Sequence, residues 1–146
     1  MPPSSATRYS CAQRQFPAWQ QWLDHPLVDT DWTAALLDVW PDGRAFNVAD
    51  GIIRARHREG NHQTVFLATE APHHFEIDMG ATSQVFLTGQ SIRVDVSSSN
   101  FPRYDRNPGA DVLSSDVDES HFVAARQTVF LDAQRASFIS LTIVDH

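Results

Sequence analysis

The first group of side chains that could do chemistry lies at alternate positions of a predicted strand. His74, Glu76 and Asp78 are spaced two apart, so in a β-strand they would share one face and could bind a metal ion. The same spacing is typical of the solvent-facing side of a strand whose other face carries Phe75 and Ile77. Metal sites also usually draw their ligands from several elements. We therefore predict a solvated strand face here, without a metal.

Two further groups contain possible nucleophiles or acid–base residues. The serines from Ser97 to Ser99 have no histidine or other base at a spacing typical of a catalytic motif. His121 and Glu119 could form a dyad, but no nucleophile or oxyanion hole is recognisable beside them. The acidic run Asp111 to Glu119 lacks the glycine-punctuated spacing of a calcium loop. We predict a solvated acidic loop, and no catalytic, cofactor-binding or metal-binding residues.

The signature of a serine hydrolase is absent as well. A nucleophile elbow reads Gly-x-Ser-x-Gly on a strand-to-helix turn. Here Gly89-Gln90-Ser91 is followed by Ile92 and Arg93, and no other stretch fits. The sequence therefore predicts a chain without serine-hydrolase activity of its own.

The most unusual run extends from Val96 to Pro108 and reads V-S-S-S-N-F-P-R-Y-D-R-N-P. A strand ends in serines, and a loop of alternating charge follows with Arg103, Asp105 and Arg106. Guanidinium–carboxylate pairing can hold such a loop rigid. An ordered surface loop without further role is the alternative. We predict that these three residues organise the loop through ion pairs that are at least partly buried.

Composition restricts the class of protein. With 146 residues the chain suits one domain, and its net charge of −7 with scattered arginines argues against a nucleic-acid partner. Cys11 is the single cysteine, which excludes an internal disulfide. No apolar leader or membrane-length apolar stretch is visible. We expect no membrane association and a cytoplasmic location.

Alternation with period two dominates the chain and predicts strands. Turns are predicted at Pro41-Asp42-Gly43 and at Ala49-Asp50-Gly51, and Trp32 and Trp40 are predicted to pack in the core rather than form a sugar platform. Many short strands with turns between them indicate an all-β sandwich or jelly roll. The predicted strands, the last two of them paired, are Trp32–Trp40, Phe46–Val48, Ile52–His57, Thr64–Ala68, His73–Met79, Ser91–Ser98, Phe122–Leu131 and Phe138–Val144.

One helix is predicted near the N-terminus, over Pro17 to Asp24. Trp19, Trp22 and Leu23 follow helical spacing, and Pro17 suits a first helical position. We divide the chain into an N-terminal segment, residues 1–28, and a β-domain, residues 29–146.

Four stretches in order resemble the C-terminal β-domain of cocaine-esterase-like (CocE/NonD) serine hydrolases, which X-prolyl dipeptidyl-peptidases share. The resemblance covers about Asp29 to Val144. No match is visible over residues 1–28. The stretches are D-T-D-W with L-D-V-W-P-D-G-R (29–32 and 37–44), D-G-I-I-R-A-R (50–56), I-D with A-T-S-Q-V-F-L (77–78 and 81–87), and S-S-S-N-F-P-R-Y-D-R-N (97–107).

The resemblance implies a jelly-roll β-sandwich of the galactose-binding-domain-like type, incomplete at its N-terminal end. In such enzymes the catalytic triad lies in an α/β-hydrolase domain and a helical cap follows, and neither is present here. The resemblance thus implies a truncated, non-catalytic piece that packs on a hydrolase domain and helps to wall its active site. With its leading strands missing, the domain is expected to need an α/β-hydrolase domain or to self-associate through exposed strand edges.

A second hypothesis stays open beside the first. The chain could be a free-standing jelly-roll module that binds carbohydrate or protein. Such a module should present a concave face with exposed aromatic rings and convergent polar groups.

Overall fold

A computed structural model describes residues 28–67, 72–112 and 117–142 in full and residues 8–11 as backbone. Strands are the main regular secondary structure of the described ranges, which confirms the predicted all-β class. The described ranges also contain two short 3-10 helices, Ala55–His57 directly after β3 and Glu119–His121 between β5 and β6. The strands are β1 (Arg8–Cys11), β2 (Asp31–Val39), β3 (Ala45–Arg54), β4 (Phe75–Asp78), β5 (Ser91–Ser97) and β6 (Phe138–Ser140).

The strands form two antiparallel sheets of three strands each. One sheet has the order β3-β2-β5, and the other has the order β4-β1-β6. Strand β2 lies at the centre of the first sheet because the chain returns through the turn after Val39 to form β3 and adds β5 on the opposite side. None of the described residues belongs to a helix long and apolar enough to cross a membrane.

The core lies between the two sheets. On β2 the side chains of Trp32, Ala34 and Leu36 alternate onto the buried face, as the period-two pattern predicts. On β4 the buried residues are Phe75 and Ile77, and the rings of Trp32 and Phe75 meet with their centroids 5.7 Å apart. Aromatic and aliphatic groups facing each other across the sheets therefore bury most of the apolar surface.

Strand β3 corrects the prediction of a turn at Ala49-Asp50-Gly51. Asp50 pairs with Ala35 and Ala49 with Leu36, but the next pair joins Leu37 to Asn47. One extra residue of β3 is thus accommodated by a β-bulge, which keeps the strand continuous from Ala45 to Arg54. Asp50 is accommodated in the strand because Arg103 pairs with it, and Gly51 is accommodated because β4 passes close to its backbone.

Later parts of the chain hold fewer strands than predicted. Residues 122–131 form an irregular segment with an isolated bridge at Gln127, and β6 pairs with β1 instead of with this segment. Residues 64–67 run extended without joining a sheet, and residue 68 lies outside the described residues. Apolar residues in both segments pack on the core as loops, so apolar alternation alone overstated the strand content.

The N-terminal segment contributes a strand that the sequence did not predict. Strand β1 lies between β4 and β6, at the centre of its sheet. The strand corrects the expectation that a helix alone would stand in place of the leading strands. The predicted helix over Pro17 to Asp24 lies outside the described residues.

Close approach between the sheets depends on Gly51. A Cβ atom on Gly51 would lie 2.3 Å from the carbonyl oxygen of Asp78 and 3.1 Å from a side-chain carbon of Ile77. We expect Gly51→Ala to destabilise the chain by about 3 kcal/mol in urea unfolding, because the backbone of β4 must move. As a control, Gly43→Ala has open space and carries only a strained backbone, a cost of about 1 kcal/mol. Equal unfolding midpoints for the two variants would contradict this packing.

Candidate functional site

Two buried carboxylates at the start of β2 form the centre of the main polar site. Asp31 faces Arg54 directly in the register between β2 and β3. The guanidinium is bidentate: Nε lies 2.9 Å from Oδ1 of Asp31 and Nη2 lies 3.0 Å from Oδ2. Two residues earlier, Asp29 accepts a 2.6 Å hydrogen bond from Nε of Arg56 and a 2.8 Å bond from the Arg56 backbone N–H. Each buried acid is therefore matched with an arginine, Asp31 through the register of β2 and β3 and Asp29 just beyond the ends of these strands.

Asn107 connects this pair of ion pairs to the loop after β5. Its amide nitrogen donates to Oδ2 of Asp29 at 2.8 Å and to Oδ1 of Asp31 at 2.7 Å, so both amide hydrogens are used. Its carbonyl oxygen accepts from the backbone N–H of Gly109 at 2.8 Å. We call Asp29, Asp31, Arg54, Arg56 and Asn107 the Asp–Arg cluster.

Neighbouring segments are attached to the cluster in the same way. Arg56 also donates to the carbonyl oxygens of Ala110 and Val112, each at 3.4 Å. Gln127 donates at 2.8 Å to the hydroxyl of Thr30 and at 2.8 Å to the carbonyl of Asp31. The cluster thus holds the loop after β5 and the irregular segment 122–131 against one end of the sheet.

The electrostatics of the Asp–Arg cluster favour a permanent structural role. The hydrogen bond from Arg54 to Asp31 raises the pKa of Arg54, and the charges of Asp31, Asp105 and Asp29 add to this effect against the opposing cost of burial. Two carboxylates face two guanidiniums, so the buried charges balance. Their oxygens accept from arginine and asparagine donors, so the cluster offers no free base or nucleophile.

A cleft of about 290 Å³ lies beside the cluster. The wall of the cleft includes the polar residues Ser98, Ser99 and Arg106 and the apolar residue Phe122. The guanidinium carbon of Arg106 lies 4.5 Å from the centre of the Phe122 ring, and the same guanidinium pairs with Glu119. Neither serine has a histidine beside it among the residues that line the cleft, so the cleft lacks the geometry for nucleophilic catalysis.

The predicted strand face around His74 is confirmed in its alternation. Phe75 and Ile77 are buried, whereas Glu76 and Asp78 are exposed on the other face of β4. Asp78 accepts a 2.8 Å hydrogen bond from the N–H of Gly80 and so shapes the turn after the strand. Within residues 28–67, 72–112 and 117–142, the structure places no group of three His, Cys, Asp or Glu side chains where they could hold a metal ion.

His121 lies in a small exposed cluster that resembles a triad in composition but not in geometry. Asp118 caps the short helix through the N–H of Ser120 at 2.9 Å, and the hydrogen bonds from Ser120 lower the pKa of Asp118. The carboxylate of Asp118 and the hydroxyl of Ser120 lie 3.0 and 3.3 Å from the same ring atom, Nδ1 of His121. A triad needs the acid and the nucleophile on opposite ring nitrogens, so this arrangement cannot transfer a proton between them.

The charged loop after β5 forms ion pairs, but with partners outside the loop. Arg103 pairs with Asp50 at 2.9 Å, and Asp105 pairs with Arg54 at 3.4 Å. Each pair has one largely buried partner, since Asp50 is 7% and Arg54 is 23% exposed, so the ion pairs are partly buried as predicted, although the Asp105 side chain itself is 63% exposed. Asn107 fixes the loop further, because its uncharged amide bridges the two buried carboxylates of Asp29 and Asp31.

Trp32 on β2 and Trp40, which directly follows β2, differ in burial. Trp32 is buried as predicted, but Trp40 is 38% exposed and lies beside the ring of Phe46, so the prediction of core packing is wrong for Trp40. Sequence reasoning also missed Asp38, which is 3% exposed on the same strand face. An aspartate at a core-facing position of an alternating strand was the available signal.

Comparison with known proteins identifies the class of this domain. Residues 17–140 match the family described as the X-Pro dipeptidyl-peptidase C-terminal non-catalytic domain. The match covers most of the chain, so the chain belongs to this family. The resemblance expected from the sequence is thereby confirmed, and the matched range begins within the N-terminal segment.

Individual relatives support the same assignment. The chain is 42% identical over 117 residues to cocaine esterase from Rhodococcus sp. (strain MB1 Bresler), covering 80% of this chain and 20% of that enzyme. An aminopeptidase from a marine sediment Thaumarchaeota archaeon superposes with a TM-score of 0.80 at 27% identity, over 95% of this chain and 23% of the other. An α-amino acid ester hydrolase superposes with a TM-score of 0.77 at 26% identity, over 92% and 22%. The chain thus spans about a fifth of the length of these relatives.

The burial of the Asp–Arg cluster predicts a contrast between two aspartates. Asp31→Ala leaves Arg54 and Asn107 without their buried acceptor, so we expect a loss of ~3–5 kcal/mol in the free energy of unfolding. Asp105→Ala removes an exposed partner of the same Arg54, and we expect ~0–1 kcal/mol. Urea denaturation followed by circular dichroism measures both. A loss for Asp105→Ala as large as that for Asp31→Ala would show that the exposed loop pair, and not the cluster, holds this region.

Proposed function

We propose that this chain acts as the non-catalytic β-domain of a serine-hydrolase assembly of the esterase or X-Pro dipeptidyl-peptidase type. In this role it packs on an α/β-hydrolase domain and helps to shape the active site that the other domain carries. The observation that carries the proposal is the match of residues 17–140 to the non-catalytic domain family. A cytoplasmic location is part of the proposal and remains a prediction.

The polar chemistry of the domain supports a scaffolding role. Within the Asp–Arg cluster, Asp29 accepts hydrogen bonds from Arg56 and Asn107, and Asp31 accepts them from Arg54 and Asn107. Such a cluster fixes loops in one arrangement, which is what a domain needs if it is to present a defined surface to a neighbour.

We extend the proposal to the finer architecture. Two antiparallel three-stranded sheets facing each other across one core support a jelly-roll sandwich of the galactose-binding-domain-like type. The position of β5 beside β2, rather than beside β4, supports the crossing connections that such a fold requires.

A free-standing binding module is the second candidate, and one observation favours it. Trp40 and Phe46 expose their rings next to each other, with centroids 5.6 Å apart. The planes of the two rings are inclined by 57°, so they do not form the flat surface on which a sugar ring would stack. A glycan array probed with the chain would support this candidate if it gave binding that Trp40→Ser abolishes.

The proposed role predicts opposite results for the isolated chain and for a chimera. The chain alone should leave p-nitrophenyl esters and X-Pro-anilides intact, and a fluorophosphonate probe should label none of its serines. A cocaine esterase whose 117 matched residues are replaced by those of this chain should fold and retain ester hydrolysis, because the matched segments are 42% identical and the proposed role gives them the same neighbour. Cocaine esterase without the replaced region is the control and should lack activity.

Either of two outcomes would contradict the proposal. One is hydrolysis by the isolated chain that disappears when the probe labels one of its serines. The other is a chimera that is soluble and folded but no more active than the deletion control.

We also propose that the isolated chain self-associates through its strand edges. Strands β3 and β5 each pair with β2 on one side, and in the described ranges neither has a strand on the other side. Unpaired edges are templates for association. Size-exclusion chromatography with light scattering should give a mass that rises with concentration. A constant monomer mass without binding of a hydrophobic dye would contradict this expectation.

A further inference from the structure

Strand β5 leaves one edge of its sheet open. It pairs with β2 along its whole length, from Ser91 to Ser97. Within the described ranges, residues 91–97 form no backbone–backbone hydrogen bond outside that ladder. Because every second residue of an edge strand points its N–H and C=O away from the sheet, β5 presents a row of backbone groups with which another strand can pair.

The opposite edge of this sheet, β3, is a poorer template for pairing. The ladder between β3 and β2 contains a bulge, and bulges twist a strand away from a flat edge. Arg103 from the loop after β5 pairs with Asp50 on β3, and β4 passes close to Gly51. The ladder between β5 and β2, by contrast, keeps one register throughout. Of these two edges, β5 is therefore the one suited to pair with a further strand.

Charged side chains are another common protection of an edge strand, and β5 contains two of them. Arg93 and Asp95 lie on one face of the strand, each about half exposed, with Nε of Arg93 3.0 Å from Oδ1 of Asp95. The two charges have opposite signs and lie on either side of Val94, which is the middle residue of β5. A strand that is reversed about Val94 therefore has a negative charge where the original strand has a positive one.

This symmetry makes β5 complementary to an antiparallel copy of itself. If two β5 strands pair antiparallel about a two-fold axis at Val94, Arg93 of each copy lies opposite Asp95 of the other. Ile92 of each copy then lies opposite Val96 of the other, on the second face of the sheet. Opposite charges and apolar side chains in directly facing positions both stabilise an antiparallel pair.

Neighbouring registers lose this complementarity. With the axis at Arg93, two guanidinium groups would face each other, and with the axis at Asp95, two carboxylates would do so. Like charges directly opposite each other destabilise an antiparallel pair. A slip by one residue would bring the charged face of one copy level with the apolar face of the other. The register centred on Val94 is thus the one that the side chains of β5 favour.

The apolar face of β5 also gains from this register. Ile92 is 50% exposed in the single chain, and Val96 is half-buried. Val96 of the second copy would cover Ile92, and the two-fold axis repeats this contact. The pairing therefore removes apolar surface from water on one face while it matches charges on the other.

We propose that two copies of this chain associate through their β5 strands, antiparallel and centred on Val94. The two three-stranded sheets then join into one six-stranded sheet of order β3-β2-β5-β5-β2-β3. The interface is isologous, because the same residues contribute from both copies. This inference rests on the self-association proposed above and deepens it, since it names the edge, the register and the residues that recognise each other.

Charge reversal tests this register in the full-length chain. The dissociation constant of self-association is measured by sedimentation equilibrium. Arg93→Glu places an acid opposite Asp95 twice in the dimer, and Asp95→Arg likewise opposes two arginines twice. Each variant should weaken self-association at least about tenfold. An equimolar mixture of the two variants should associate about as tightly as the parent chain, because in the mixed dimer each acid again faces an arginine.

A matched control removes a charge pair of similar exposure elsewhere. Arg135 is 47% exposed and lies 2.9 Å from Asp132 in a turn outside the β5 edge. Arg135→Glu should leave the dissociation constant of self-association unchanged. Rescue by mixing also serves as a folding control, because two misfolded variants would not restore each other's association.

Disulfide cross-linking tests the same pairing independently. The positions changed in Arg93→Cys and Asp95→Cys face each other only in the register centred on Val94. A mixture of the two variants under mild oxidation should therefore give linked dimers with one copy of each, and either variant alone should give fewer. The parent chain, whose single cysteine is Cys11, is the control. Mass spectrometry of the linked peptides identifies the two cysteines that have joined.

Each contrary result overturns the inference in a recognisable way. A dissociation constant unchanged by Arg93→Glu would assign the association to another surface, and weakened variants that mixing does not restore would reject the register. Cross-linking of either cysteine variant alone as efficiently as the mixture would reject it too. A parent chain that remains monomeric would overturn both this inference and the proposed self-association. An inactive chimera of cocaine esterase, together with rescue by mixing, would reject the hydrolase partner and leave the β5 dimer standing.

Discussion

The pairing of buried charges at the start of β2 is the interaction on which the rest of the structure depends. Asp29 and Asp31 lie where the sheet meets two loops, and burial would make either carboxylate unstable by itself. Arg54 and Arg56 neutralise them, and Asn107 bridges both. Because each group satisfies another, the cluster can form only when β2, β3 and the loop after β5 are all in place.

An aspartate carboxylate is buried at each end of β2, but the two carboxylates have different partners. Asp31 has a bidentate arginine and serves the stability of the fold. Asp38, seven residues later on the same strand, has neutral donors and an unpaired oxygen beneath exposed aromatic rings. Asp31 is therefore matched by a positive charge, whereas Asp38 is held by the neutral donors of Trp40 and Gln84.

The sequence predicted what depends on local patterns. The alternation of β2, β4 and β5 and the turn at Pro41-Asp42-Gly43 are visible in the order of residue types, because strand faces and turns are properties of neighbouring residues. The unusual run from Val96 to Pro108 also pointed to the loop that contains Asn107.

What the sequence could not predict depends on residues far apart in the chain. Arg54 and Asp31 pair through strand register, and the bulge in β3 that sets this register left a signal resembling a turn. The run predicted a role for the charged Arg103, Asp105 and Arg106, but the neutral Asn107 is the residue of this loop that bridges both buried carboxylates. The apolar segment 122–131 resembled a strand because packing on the core needs the same residue types, whether or not a ladder forms.

The buried Asp–Arg cluster fixes the loop after β5 as part of the folded core. Native-state hydrogen exchange measures this most directly. The amide hydrogens of Arg56, bonded to Asp29, and of Gly109, bonded to Asn107, should exchange as slowly as those in the middle of β2, with the free energy of global unfolding. Exchange of the Gly109 amide at the rate of an exposed loop, while β2 stays protected, would contradict the account.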